Sequence, residues 1–133
     1  MRILVVDDEV QVARSLQRLL KKHDVSIETD AGAALDRVTT ALADGSPFDV
    51  VLCDFSMDGM TGAEVIAALL TCEPCPLLIL MSGDCVADRT SDADAVLMKP
   101  FTPDELRTAI EQAGHERAEA PSLRFLGDSH VAG

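Results

Sequence analysis

The sequence contains no Trp and no Tyr, and only 3% of its residues are aromatic. A core of stacked rings is excluded, so the interior must rest on Leu, Val, Ile and Ala, the composition of an α/β sandwich. Basic residues are also scarce: 11 Lys and Arg stand against 23 Asp and Glu, for a formal net charge of −12. Such a surface is repelled by nucleic-acid phosphates and by anionic membranes, so neither is expected as a direct partner. Basic surfaces or cations suit it better. No apolar run approaches the ~20 residues of a membrane-spanning helix. The N-terminus, Met1 to Asp8, enters a strand at once, without the long apolar stretch of a signal peptide. A cytoplasmic protein is the expectation.

Cysteine is present four times, as Cys53, Cys72, Cys75 and Cys85. In a cytoplasmic chain these are expected as reduced thiols. Cys72-Glu73-Pro74-Cys75 has the spacing of a redox or zinc motif. A thioredoxin-like motif, however, opens a helix after a strand, whereas this one closes a helix and precedes a strand. A structural zinc site needs two further convergent ligands.

At 133 residues with 47% apolar content, the chain is one domain's worth and can bury a core without staples. Ile3–Val6, Val50–Cys53, Leu77–Met81 and Ala95–Met98 are continuous apolar runs, the pattern of strands covered on both faces. Val25–Thr29 is a weaker strand, expected at an edge. Between them lie helical stripes: Val12, Leu16, Leu19 and Leu20; Ala31, Ala34, Leu35, Val38 and Leu42; Gly62, Val65, Ile66, Leu69 and Leu70; Leu106, Ala109, Ile110 and Ala113. Thr102-Pro103-Asp104-Glu105 is a helix start with a Thr cap, and Asp44-Gly45-Ser46-Pro47 is a turn. The alternation implies a doubly wound parallel sheet with right-handed crossovers. Periodicity is lost beyond Gly114, so residues 1–114 read as the domain and residues 115–133 as a tail, either disordered or docking through Arg117, Leu123, Arg124, Phe125 and Leu126.

In open parallel sheets, ligands bind at the carboxyl ends of the strands. Asp7 and Asp8 follow the first strand here, Asp54 the third, Ser82 the fourth and Lys99 the fifth. Polar strand ends are common, but they poorly explain this set of types. Two unit charges about 4 Å apart repel by about 4 kcal/mol at an effective dielectric of about 20, so clustered carboxylates call for a cation. Lys99 supplies one charge, and a hard divalent ion with oxygen ligands, Mg²⁺, would supply two more. A metal and an ammonium together also suit a phosphoryl group in transfer.

These residues resemble the response-regulator receiver domain of two-component signalling, the CheY-like superfamily. The resemblance covers residues 1–114. It rests on four motifs in order: Val5-Val6-Asp7-Asp8-Glu9, the stretch from Val51 through Asp54 to Gly62, Leu80-Met81-Ser82-Gly83, and Met98-Lys99-Pro100-Phe101. It implies a flavodoxin-like fold of five parallel strands in the order 2-1-3-4-5. It also implies that Asp54 accepts a phosphoryl group from a phosphohistidine on a sensor histidine kinase or a histidine phosphotransfer protein. Asp8 and Asp54, with the backbone carbonyl of Ser56, would ligate Mg²⁺ (Mn²⁺ could substitute), and Asp7 would act largely through water. Ser82 would hydrogen-bond the phosphoryl group and Lys99 would pair with it. The Lys99–Pro100 bond is expected to be cis. The module would catalyse only its own phosphorylation and dephosphorylation, and would signal to a downstream protein as a monomer or weak dimer.

The sequence departs from the family pattern in three places. Asp58 stands where Pro is usual, and Val96 where an aromatic usually turns inward on phosphorylation. The segment Gly83–Asp94, 12 residues long, is short for a crossover with a full helix and is rich in Asp, Thr and Ser. The helix of this fourth crossover is therefore expected to be shortened or absent, and signalling to use another surface, such as the first and last helices, or an ordering of the loop around the phosphoryl group. Two other readings stay open. One is a haloacid-dehalogenase-like phosphatase, which would want an acid at position 56 where Ser56 stands. The other is a pseudo-receiver that binds partners without being phosphorylated. No output domain is legible: the chain is either a stand-alone receiver or a piece of a longer regulator. The Met directly before the first strand speaks against the receiver end of a hybrid kinase.

Overall fold

The computed structural model describes residues 1–57, 59–83 and 93–119. Five strands, β1 (Arg2–Val6), β2 (Asp24–Glu28), β3 (Val50–Asp54), β4 (Leu77–Ser82) and β5 (Ala95–Met98), form one parallel sheet in the order β2-β1-β3-β4-β5. Among the described residues the helices are α1 (Val10–Leu19), α2 (Ala31–Ala43), α3 (Gly62–Leu69) and α4 (Pro103–Glu119). This is the fold and strand order the sequence implied.

Side chains alternate across a strand, so the apolar runs divide between two layers. Leu4, Val6, Val51, Cys53, Leu78 and Leu80 pack with α2 and α3. Ile3, Val5, Val50, Leu52, Ile79 and Met81 pack with α1 and α4. Every residue of β3 and β4 is buried. The edge strands β2 and β5 are mostly half-buried, which is why the sequence signal of β2 is weak.

Local chemistry sets the helix ends. Asp30 caps α2 by accepting from the Ala33 amide at 2.9 Å. That helix ends in a Schellman motif: the Gly45 amide donates to Leu42, the Ser46 amide donates to Ala41, and Gly45 takes φ 77°. Thr102 and Glu105 cap α4 reciprocally, at 2.9 and 3.1 Å, as their spacing indicates. A second capping box, Thr61 with Glu64, starts α3.

Two sequence expectations need correction. Leu19 is 49% exposed, because the inward face of α1 is centred on Ala13, Leu16 and Leu20. The last helix runs on to Glu119, past the end of the apolar stripe at Ala113. Arg, Ala and Glu are good helix formers, and that propensity continues it. The expectation of a shortened or absent helix in the fourth crossover falls on residues 84–92, outside the described residues, as do Asp58 and the tail from residue 120. Among the described residues, no helix is long and apolar enough to cross a membrane.

Candidate functional site

The site is assembled by strand register. β1 pairs with β3 as far as Val6 opposite Cys53, β3 with β4 as far as Asp54 opposite Met81, and β4 with β5 as far as Ser82 opposite Met98. The residues at these strand ends therefore share the carboxyl edge of the sheet. Backbone bonds extend the ladders just past the strands: the Asp7 amide donates to Glu28 at 3.1 Å, Phe55 to Met81 at 2.8 Å and Lys99 to Ser82 at 2.8 Å. The Lys99–Pro100 peptide is cis, as the resemblance implied, and Glu73–Pro74 is also cis.

The edge holds an acidic trio with one ammonium. Ligand oxygens of Asp7, Asp8 and Asp54 all lie within 4.8 Å of one another. Lys99 Nζ is 2.9 Å from Asp54 Oδ1 and 3.4 Å from Asp7 Oδ2. Asp7 is fully buried, Asp54 is 7% exposed and Ser82 2%, while Asp8 faces solvent. The Glu9 amide donates to Asp7 Oδ1 at 2.9 Å and fixes that carboxylate.

Burial pushes the Asp54 carboxyl above its ordinary range, and the charges of Asp7 and Asp8 push the same way. The Lys99 hydrogen bond opposes them without winning. Burial works against the charged form of Lys99, but its contacts with Asp54 and Asp7 outweigh this and raise its pKa. Three carboxylates against one ammonium leave excess negative charge in a set of hard oxygen donors. That donor set fits a small divalent cation such as Mg²⁺.

Ser56 is exposed in the loop after β3. Val96 is half-buried on β5, opposite Leu80, and packs on the α2/α3 layer. Two features were missed. Gly62 carried the helical stripe, but its real constraint is proximity: a Cβ there would lie 2.6 Å from the Asp54 carbonyl oxygen and 2.8 Å from Phe55 Cα. The Thr61-x-x-Glu64 box was the available signal that α3 begins beside Asp54. Cys53 is a buried thiol pushed up to about 12 by burial, then by the charges of Asp54 and Asp7, with its Sγ 3.5 Å from the Asp54 carbonyl.

A five-stranded parallel sheet in this order, with acids, a hydroxyl and a lysine along its carboxyl edge, defines the receiver class of α/β modules. The chain belongs to the response regulator receiver domain family, whose model matches residues 3–111. It is 36% identical over 137 residues to the response regulator MprA of Mycobacterium sp. (strain KMS), covering 94% of this chain and 57% of that protein. It is 31% identical over 137 residues to the DNA-binding response regulator MtrA of Mycolicibacterium smegmatis, covering 98% of this chain and 58% of that one. The chain thus spans just over half the length of these relatives. Among solved structures, a CheY-like receiver domain protein from Methanospirillum hungatei superposes with TM-score 0.71 at 27% identity, covering 90% of this chain and 98% of that one. A receiver domain protein from Clostridium thermocellum shares the fold, with TM-score 0.73 at 22% identity and coverage of 88% and 96%.

Proposed function

We propose that Asp54 accepts a phosphoryl group from a phosphohistidine on a sensor histidine kinase or histidine phosphotransfer protein, and that the acyl phosphate switches contacts with a downstream protein. The observation that carries this reading is the pairing of Lys99 Nζ with Asp54 Oδ1 at 2.9 Å inside the acidic trio. An Asp54 oxygen attacks phosphorus, the P–N bond breaks, and the imidazole takes a proton as it leaves. Lys99 then pairs with a phosphoryl oxygen, and the Ser82 hydroxyl donates to another. Water later attacks phosphorus and releases inorganic phosphate, restoring the carboxylate.

Asp8, Asp54 and the Ser56 carbonyl, with Asp7 behind them, are the groups that would hold Mg²⁺ or, in its place, Mn²⁺. The bound ion would neutralise charge on the phosphoryl oxygens. The chain modifies itself and turns over no separate substrate. MtrA is named as a DNA-binding response regulator; at net charge −12, the domain described here supplies the switch rather than a DNA contact.

Partner contact is assigned to α1 and its end. Arg14, Arg18, Lys21 and Lys22 are all exposed there, beside exposed Leu19, in a chain with only 11 basic residues. The test of the chemistry is incubation with a small phosphodonor and Mg²⁺, read by intact mass. Gain of one phosphoryl group, lost in Asp54→Ala, is expected. Undiminished labelling of that variant overturns the assignment. A wild type that takes up no phosphoryl group favours the pseudo-receiver reading, to which the aliphatic, half-buried Val96 lends some support.

A further inference from the structure

The link from α3 to β4 contains Cys72 and Cys75, which play no part in the chemistry proposed above. Both are half-buried and pack at the border of the α2/α3 layer. A backbone amide and a thiol meet at one carbonyl: the Cys72 amide donates to the Leu69 oxygen at 3.0 Å, and Cys75 Sγ lies 3.5 Å from the same oxygen and 3.4 Å from the Pro76 oxygen. The Cys75 sulfur is therefore held within reach of the Cys72 backbone. Burial and, after it, the charge of Cys75 push the Cys72 thiol up. Cys53, by contrast, is fully buried within the sheet.

We propose that Cys72 and Cys75 form a reversible intramolecular disulfide, making the α3–β4 link a redox-modifiable site distinct from the acidic edge. The co-reactant is a small disulfide such as oxidised glutathione. One cysteine thiolate attacks a glutathione sulfur, forming a mixed disulfide and releasing one glutathione thiol. The second cysteine thiolate attacks the protein sulfur of that mixed disulfide and releases the other glutathione thiol. Two protein thiols give up two protons and two electrons, and one glutathione disulfide becomes two thiols. The cross-link would tie the end of α3 to the segment leading into β4. These two elements carry Gly62 and Ser82 at their opposite ends.

Burial favours the thiol over the thiolate at Cys72, so exchange is expected to be slow at neutral pH and faster as pH rises. The test uses the full chain in glutathione buffers of graded redox ratio at mildly alkaline pH, quenched with an alkylating agent and read by peptide mapping. Oxidising ratios should yield a peptide with Cys72 and Cys75 joined and both protected from alkylation, reverting on dithiothreitol. In Cys72→Ser and in Cys75→Ser the remaining thiol should instead retain a glutathionyl group. Wild-type mapping decides the matter even if a variant folds poorly. If Cys72 and Cys75 stay separately alkylated, or each ends as a single glutathione adduct at every ratio, the inference is overturned. The readout needs no phosphodonor, so its failure is distinct from a failure of Asp54 labelling.

Discussion

Gly62 rests on the backbone of Asp54 with no room for a methyl group, since an added Cβ would meet the Asp54 carbonyl oxygen at 2.6 Å and Leu80 Cδ1 at 2.7 Å. The first turn of α3 thus fixes the position of the carboxylate's own main chain. Gly62→Ala should destabilise the fold by about 1–3 kcal/mol, the usual cost of overpacking a dense site. It should also slow labelling of Asp54. Denaturant titration measures the first effect and phosphodonor kinetics the second. An unchanged unfolding midpoint would mean that α3 slides freely.

Asp8 is the exposed member of the trio. In metal-free buffer, Asp8→Ala should be at least as stable as the parent, because it removes like charge facing Asp54. Saturating Mg²⁺ should raise the parent's stability by about 2.7 kcal/mol at a hundred times the dissociation constant. The variant should gain much less. A large loss of stability without metal would make Asp8 a structural residue.

The raised pKa of Asp54 gives an unusual pH profile. Its folded form holds the proton more tightly than the unfolded chain, so its charge costs nothing below the ordinary value of 3.8. The cost grows as pH climbs through the raised pKa, and stability falls over that window. Asp54→Asn should flatten this fall in metal-free buffer. Lys99 behaves differently: its favourable contribution is complete below its ordinary 10.5 and is lost as pH rises through its raised pKa. Urea midpoints across pH, for parent and variant, check both signs.

Cys53 should resist alkylation at pH 8 in the native state and react only on unfolding, given full burial and a pKa of about 12. Rapid native labelling at Cys53 would show that the β3 end opens readily.

The extent of the domain is a further expectation. Ala113 is buried in α4, while His115 and Glu116 beyond it are exposed. Truncation after Gly114 should therefore cost less than about 1 kcal/mol, the scale expected for removing exposed residues such as His115 and Glu116. A large drop in melting temperature would place the boundary further along.

What the sequence disclosed follows from physics. β1, β3 and β4 were legible because both faces are covered and every position had to be apolar. β2 was shifted by one residue because it is an edge strand whose ends, Asp24 and Glu28, are polar. The clustering of Asp7, Asp8, Asp54 and Lys99 was legible because these side chains directly follow readable strands. The Gly62 contact was not, because a residue without a side chain leaves no periodic trace. The extension of α4 was hidden for a related reason: helix propensity alone writes no apolar stripe into the sequence.

β5 has four residues and, among the described residues, a single hydrogen-bonded neighbouring strand, β4. Lys99, immediately beyond it, reaches across the end of β4 to the carboxylate on β3. The strand with the least backbone anchorage is therefore moored electrostatically to Asp54, and any change in charge at that carboxylate alters the tension on the mooring. The sheet's interior need not deform for such a change to be felt at its rim.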